Sequence, residues 1–260
     1  MDKHVNSGKL RPGTLCFECN ICGAPNQFDL SSLDRETKSC AACNSSARWR
    51  GVVDALSYEL FGESVKLPDF PVRRDIRGLG LSDWSGYARL LDEKFNYLNT
   101  FYHQEPRLDI ADIDRSLEGK ADFVIASDVF EHVAPPIIDA FGNARRLLKP
   151  GGILLLTVPW GGGPRTVENY PRLNKFEIVE RDGRKVLRNL RRDGVVEEHI
   201  DPRFHGGEGA VLVMRLFGKQ ELIDNLKAAG FASTRVHEGP KFQIGVFWPG
   251  NHSVPVAARC

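Results

Sequence analysis

From about residue 72 the chain alternates short apolar runs with stretches whose apolar side chains recur every three or four positions. DIRGLGLSDW reads as a strand running into a glycine turn, and residues 87–95 as a helix with Tyr87, Leu90, Leu91 and Phe95 on one side. YLNTFY, RLDI and ADFVIASD read as further strands, the last with a continuous apolar centre at 123–126, the mark of a strand covered on both faces. Residues 136–149 give the clearest helix. Ile137, Ala140, Phe141, Ala144, Leu147 and Leu148 keep helical spacing, two prolines precede them and KPGG follows. The strand ILLLTVP comes next. Strand–helix–strand alternation of this kind predicts an α/β fold with a mostly parallel sheet.

Two stretches break the rhythm. FEIVE, KVLRNLR and VVEEH are three short strands joined at Asp182-Gly183 and Asp193-Gly194, a dipeptide that favours hairpins because a type I′ turn wants positive φ at both central residues. They predict an antiparallel β insertion at about 161–210. KQELIDNLKAAGF then predicts a helix ending at Gly230, and STRVH and FQIGVFW two closing strands. Towards the N-terminus, residues 1–15 read as a lead-in and 51–61 as a helix, while the two prolines of LPDFP make a linker. The expected organisation is a cysteine module at 1–50, a helix and linker at 51–71, and the α/β domain at 72–260.

Composition adds little bias. The 260 residues carry a formal charge of +1, with 42% hydrophobic and 27% charged side chains. That balance disfavours a general polyanion or membrane-surface binder. No apolar run approaches the ~18 residues of a membrane-spanning helix, and no signal-peptide core is visible, so a cytoplasmic location is expected.

The cysteines change the picture. Five of the six lie between Cys16 and Cys43. Cys19-x2-Cys22 and Cys40-x2-Cys43 have the spacing of two knuckles closing over one tetrahedral zinc, and turn-forming Gly23 and Asn44 follow each pair. Four protein ligands leave no open position, so the expected Zn2+ is structural. Cys16 could pair with Cys19 instead; the resemblance of CNICGAPN to CAACNSSA favours Cys19 with Cys22, leaving Cys16 and Cys260 as free thiols. Arg48 and Arg50 read as a solvated or domain-bridging pair.

In the α/β region Gly78-Leu79-Gly80-Leu81-Ser82 lies at a strand-to-helix turn, where glycines let a nucleotide-like ligand approach the backbone. Asp109 and Ser127-Asp128 end the next strands on the same edge, where open α/β sheets bind ligands. A nicotinamide cofactor is disfavoured, since Asp83 stands where the third glycine of Gly-x-Gly-x-x-Gly belongs.

ADFVIASDVFEHVAPPIIDAFGNARRLLKPGGILLLTVPW resembles the second half of a class I S-adenosylmethionine-dependent methyltransferase domain. CNICG…CAACNSSARWR joined to such a domain also resembles the zinc-knuckle methyltransferases of bacterial glycan and secondary-metabolite gene clusters. The resemblance implies a Rossmann-like, mostly parallel seven-stranded sheet and S-adenosylmethionine as cofactor. It implies Gly78 and Gly80 against the methionine part, Asp109 and Ile110 at the adenine, Ser127 and Asp128 near the transferred methyl, and Glu131 and His132 at the mouth. Where the family's second strand ends in an acidic ribose ligand, this chain offers Asn99, Thr100, His103 or Glu105, of which Thr100 is the one assigned to the cofactor site. The acidic residue two before the first glycine is replaced by Ile76.

Methyl transfer needs alignment and, for a hydroxyl or amine acceptor, a general base. His205, His132 and Glu168 are the catalytic candidates, with His199 behind them; glycines flank His205 in FHGGEG. Trp160 and Tyr170 could wall an acceptor pocket. Residues 172–192 hold eight Arg or Lys against three acids, which could draw in an anionic acceptor unless Glu197, Glu198 and Asp201 balance them. The expected acceptor is a small molecule, sugar or nucleotide-linked compound, methylated on O or N. RNA gripped through the zinc module is disfavoured by the neutral charge, and an inactive binding scaffold is the reading from another class.

Overall fold

The computed structural model describes residues 13–161, 163–205, 211–250 and 252–260. The chain forms two compact units: Met1–Phe70 with Glu238–Asn251, and Pro71–His237 with His252–Cys260.

The first unit begins with an antiparallel pair, β1 (Thr14–Glu18) and β2 (Pro25–Asp29), followed by the helix α1 (Ala47–Phe61). This helix starts four residues before the apolar spacing suggested, because the Ser46 hydroxyl accepts the Trp49 N–H and caps it. It ends at Gly62 in the left-handed conformation. Ile21, Leu33, Val52, Val53, Leu56, Leu67 and Phe70 form its buried core.

The second unit holds β3 (Arg73–Leu81), α2 (Ser85–Lys94), β4 (Phe95–Thr100), β5 (Ala121–Ser127), α3 (Ile137–Leu147) and β6 (Leu148–Thr157). An inserted segment follows, with β7 (Val167–Glu168), β8 (Lys175–Arg181), β9 (Arg184–Leu190), β10 (Val196–Ile200), β11 (Phe204–His205), β12 (Val211–Leu212) and β13 (Arg215–Leu216). Then come α4 (Lys219–Ala228), β14 (Ser233–Val236) and β15 (Val256–Arg259). The main sheet runs β14-β15-β6-β5-β3-β4, parallel from β6 to β4 and antiparallel at β15 and β14.

Among the described residues the sheet has six strands, which corrects the expected seven. The missing one is RLDI, of which only a single bridge, Arg107 to Phe101, remains. Asp109 turns the chain instead: its carboxylate accepts the Ala111 N–H at 2.9 Å and its carbonyl the Asp112 N–H at 3.0 Å. A second correction concerns the closing strand, which is Val256–Arg259. In FQIGVFW, residues 242–244 make a 3-10 turn and Gly245 at φ 68° stops any extended run. That segment belongs to the first unit.

The insertion carries the expected antiparallel strands in the order β10-β9-β8. Asp182 (φ 51°) and Gly183 (φ 71°) make the first hairpin turn as the dipeptide rule demands. At the second only Gly194 is left-handed (φ 83°), and the Arg191 N–H donates to the Val195 carbonyl across a longer loop. Tyr170, Leu173, Leu187, Leu212 and Met214 form a separate apolar cluster beneath these strands.

Candidate functional site

In the first unit the sulfurs of Cys19, Cys22, Cys40 and Cys43 lie within 4.8 Å of one another, all as free thiols. Two separations are 3.7 Å (Cys19 to Cys43) and 3.6 Å (Cys22 to Cys40). A regular tetrahedron of sulfurs about a zinc at ~2.3 Å has edges of about 3.8 Å, so this donor set fits that ion in chemistry and in size. Each Cys-x2-Cys loop closes through a backbone bond, Gly23 N–H to the Cys19 carbonyl and Asn44 N–H to the Cys40 carbonyl. Gly23 (φ 77°) and Asn44 (φ 60°) take the left-handed conformation that lets the chain turn back. Polar groups orient the sulfurs: Asn26 Nδ2 donates to Cys40 Sγ at 3.5 Å, and Ser45 Oγ lies 3.3 Å from Cys19 Sγ. The Cys43 thiol holds Cys19 down at about 4; burial works against it and Ser45 adds to it. Cys16 is exposed on β1, outside the cluster.

Arg50 departs from the expectation of a solvated side chain. It is fully buried, its guanidinium donating to the carbonyls of Ser45 (2.7 Å) and Gly245 (2.8 Å) and to Ser39 Oγ (2.7 Å). Its carbon also sits 4.6 Å from the centre of the Phe17 ring. A buried cation beside four thiols offsets the negative charge they would carry as metal ligands. Arg48 is partnered by Glu36 at 2.7 Å.

In the second unit, the carboxyl ends of β3, β4, β5 and β6 share one edge: Leu81 pairs with Thr100, Gly80 with Ile125, and Ser127 with Thr157. The chain leaves β3 for β4 on one side and returns to β5 on the other, which makes that edge a topological switch point. Packing alone accounts for both glycines. A Cβ on Gly78 would lie 2.2 Å from the Phe123 ring, and one on Gly80 would lie 2.0 Å from Tyr97 Oη and 2.5 Å from Asp83 Oδ2.

Asp83, which in the linear sequence only stands where a third glycine would belong, is the hub of this loop. Its carboxylate accepts the Tyr87 hydroxyl at 2.6 Å and the Tyr97 hydroxyl, while its backbone exchanges two 2.9 Å hydrogen bonds with the Asn99 amide. Of the four ribose candidates, Asn99 is thus tied to Asp83, and the Thr100 hydroxyl donates to the Gly80 carbonyl at 2.8 Å. His103 packs on Tyr102, and Glu105 accepts the Arg107 N–H at 2.9 Å. Asp109 is half-buried in its turn, and the carbonyl of buried Ile110 accepts from Asn143 Nδ2 at 2.9 Å. The Thr157 hydroxyl donates to Asp128 Oδ1 at 2.7 Å and lies 3.0 Å from Ser127 Oγ. Asp128, at φ 56°, turns the chain out of the sheet.

That turn leads into a 3-10 segment, Phe130–His132. Glu131, fully buried, His132 and His205 bring one ligating atom each within 4.8 Å of the others. His132 Nδ1 donates to the Leu212 carbonyl at 3.0 Å, which leaves the Nε2 lone pair facing His205 Nδ1 at 3.1 Å. Burial lowers the His132 pKa, with the Leu212 carbonyl opposing and His205 adding to it. Two of the three catalytic candidates therefore meet. The glycines predicted beside His205 lie outside the described residues.

Glu168, the third candidate, accepts Arg215 Nε at 2.7 Å from the facing position of the β7–β13 pair. Arg215 is fully buried and also donates to the carbonyls of Phe130 (2.7 Å) and Val133 (2.6 Å); the Met214 N–H donates to the Glu131 carbonyl at 2.8 Å. Glu168 and Arg215 thus clamp the turn that presents Glu131 and His132. No sequence pattern marks Arg215, because its partners lie 47 and 85 positions away.

Residues 71–235, the greater part of the chain, match the family described as a methyltransferase domain. The chain belongs to this family of S-adenosylmethionine-dependent methyltransferases. No curated protein matches the sequence. Among solved structures, the methyltransferase is similar to 1,6-didemethyltoxoflavin-N1-methyltransferase of Burkholderia thailandensis (15% identity, 82% of this chain and 77% of that one, TM-score 0.45). It is also similar to an amino pentose methyltransferase of Micromonospora echinaspora (16%, 83% and 92%, 0.45) and to a sugar N-methyltransferase of a Streptoalloteichus species (14%, 82% and 85%, 0.43).

The basic insertion of the methyltransferase is largely balanced in place. Arg172 pairs with Glu197, Arg181 with Glu198, Arg184 with Asp201, Arg188 with Glu177 and Glu198, and Arg191 with Asp193 and Glu197. Exposed pairs like these add little stability, but they cancel most of the field expected to steer an anion. Trp160 and Tyr170, the two candidate pocket walls, are both buried. Tyr170 belongs to the apolar cluster, with its hydroxyl accepting the Arg203 N–H at 3.0 Å. No helix among the described residues is long and apolar enough to cross a membrane.

Proposed function

We propose that the methyltransferase transfers a methyl group from S-adenosylmethionine to a hydroxyl or amine of a small-molecule, sugar or nucleotide-linked acceptor. The observation that carries this reading is the meeting of Glu131, His132 and His205 just beyond the strand-end edge, at the end of the Ser127-Asp128 turn. The cofactor supplies an electrophilic methyl on a sulfonium. Ser127 and Asp128 would hold its methionine end, with Gly78 and Gly80 nearby, and Thr100, Asp109 and Ile110 would meet the nucleoside. When bound, the cofactor would offer that methyl to an acceptor lone pair, with the neutral thioether as leaving group. The acceptor's proton is drawn off at the Glu131–His132–His205 cluster, and Glu168 acts through Arg215 by holding that cluster in place. Most of the catalytic advantage comes from proximity and alignment.

The four cysteines hold a structural zinc, supported by the sulfur spacing and the paired turns. The charge pairing of the insertion favours a small acceptor over RNA, since few of its basic side chains are left to meet phosphates. Methyl-labelled S-adenosylmethionine offered with a panel of amino sugars, nucleotide sugars and total RNA tests the reading. Label should pass to a low-molecular-weight acceptor; label found only in RNA would overturn the assignment.

A further inference from the structure

Glu131 Oε1, His132 Nε2 and His205 Nδ1 are separated by 3.1, 3.7 and 3.8 Å. The point in their plane that is equidistant from the three atoms lies about 2.1 Å from each, inside the ~2.0–2.2 Å range of zinc–imidazole and zinc–carboxylate bonds. We propose that these three side chains form a second metal site, distinct from the cysteine cluster, that binds a divalent transition cation such as zinc through two nitrogens and one carboxylate oxygen.

Three further features suit a ligand set. His132 donates its other ring nitrogen to the Leu212 carbonyl, the arrangement that fixes the tautomer of metal-bound histidines. The backbone presenting Glu131 and His132 is held by the Arg215 guanidinium and the Met214 N–H, so two ligands are placed in advance. The exposure is graded: the Glu131 side chain is buried, that of His132 is 16% exposed and that of His205 is 50% exposed. Three protein ligands with one side open to solvent is the pattern of a site that also takes an exogenous ligand, whereas four cysteines close theirs. The donor chemistry separates the two sites as well, imidazole and carboxylate against thiolate.

A cation here would take an acceptor hydroxyl oxygen at its open position and lower that hydroxyl's pKa, so that with the metal bound the proton leaves to solvent in place of its removal by the side chains themselves. This use rests on the acceptor reading above; the binding of the cation does not.

The test is calorimetric titration of zinc chloride into the full, tag-free chain whose cysteine site has been filled beforehand. One further equivalent should bind. Removing even an outer partner of a metal site costs roughly 10–100-fold in affinity, so His205→Ala, at an exposed position, should weaken this equivalent at least tenfold. Glu131→Gln should do the same, with His205→Ala deciding because it disturbs no buried group. No further equivalent in the wild type, or one unchanged in His205→Ala, would overturn the proposal. Titration of S-adenosylhomocysteine into the wild-type chain reports on the methyltransferase reading separately.

Discussion

If the four cysteines hold zinc as proposed, Cys40→Ser should abolish zinc retention and unfold the first unit, while the methyltransferase unit stays folded. Cys40 is fully buried, accepts from Asn26 Nδ2, and faces Cys22 Sγ at 3.6 Å. Serine offers no thiolate, and three remaining sulfurs cannot close the tetrahedron. For small structural zinc sites the binding free energy, about 10–16 kcal/mol at pH 7, is in effect folding free energy. The two β-strands are only five residues each, so little else holds the knuckles in register. Arg50 makes the loss worse, because its buried charge then faces a broken cluster. Zinc analysis after dialysis and a thermal melt check this. The variant should lose the ion and show an early separate transition, and a strong chelator should do the same to the wild type. A variant that retains zinc and melts like the wild type would show that the cysteine cluster is not a structural metal site.

The second large effect is expected at Gly80→Ala. The added methyl would sit 2.0 Å from Tyr97 Oη and 2.5 Å from Asp83 Oδ2, and neither group can yield without breaking the bond between them. Overpacking a buried site costs roughly 1–3 kcal/mol, and a lost hydrogen bond to a charged group about 1.5–3 more. At about 2–4 °C per kcal/mol for a unit of this size, the melting temperature should fall by roughly 10 °C. Because Asp83 also fixes Asn99 at the end of β4, S-adenosylhomocysteine affinity should drop at least tenfold in the folded fraction. Unchanged stability would mean that the Asp83 hub does not hold the loop as described.

Much of this was legible in the sequence for identifiable physical reasons. Continuous apolar runs became the buried centres of β5 and β6. Asp182-Gly183 made its turn because both residues reach positive φ. The cysteine spacing found its cluster because short loops fix where sulfurs point.

What was not legible depends on contacts far apart in the chain, or on local competition between backbone conformations. Asp109 bends RLDI by taking a backbone N–H two residues on, which apolar spacing cannot register. Residues 256–259 are short, alanine-rich and preceded by a proline, and they became a strand by lying between β14 and β6. Arg50 and Arg215 look like surface residues in any linear reading, yet both are fully buried as hydrogen-bond hubs. The meeting of His132 with His205 spans 73 positions, and only the path of the insertion brings it about.

The strand-end edge beside Gly80, Ser127 and Asp128 is the proposed cofactor site. Calorimetric titration of S-adenosylhomocysteine into the wild-type chain tests it most directly. Saturable binding of one molecule per chain is expected. Absence of binding by both S-adenosylhomocysteine and S-adenosylmethionine, with the protein folded, would contradict it.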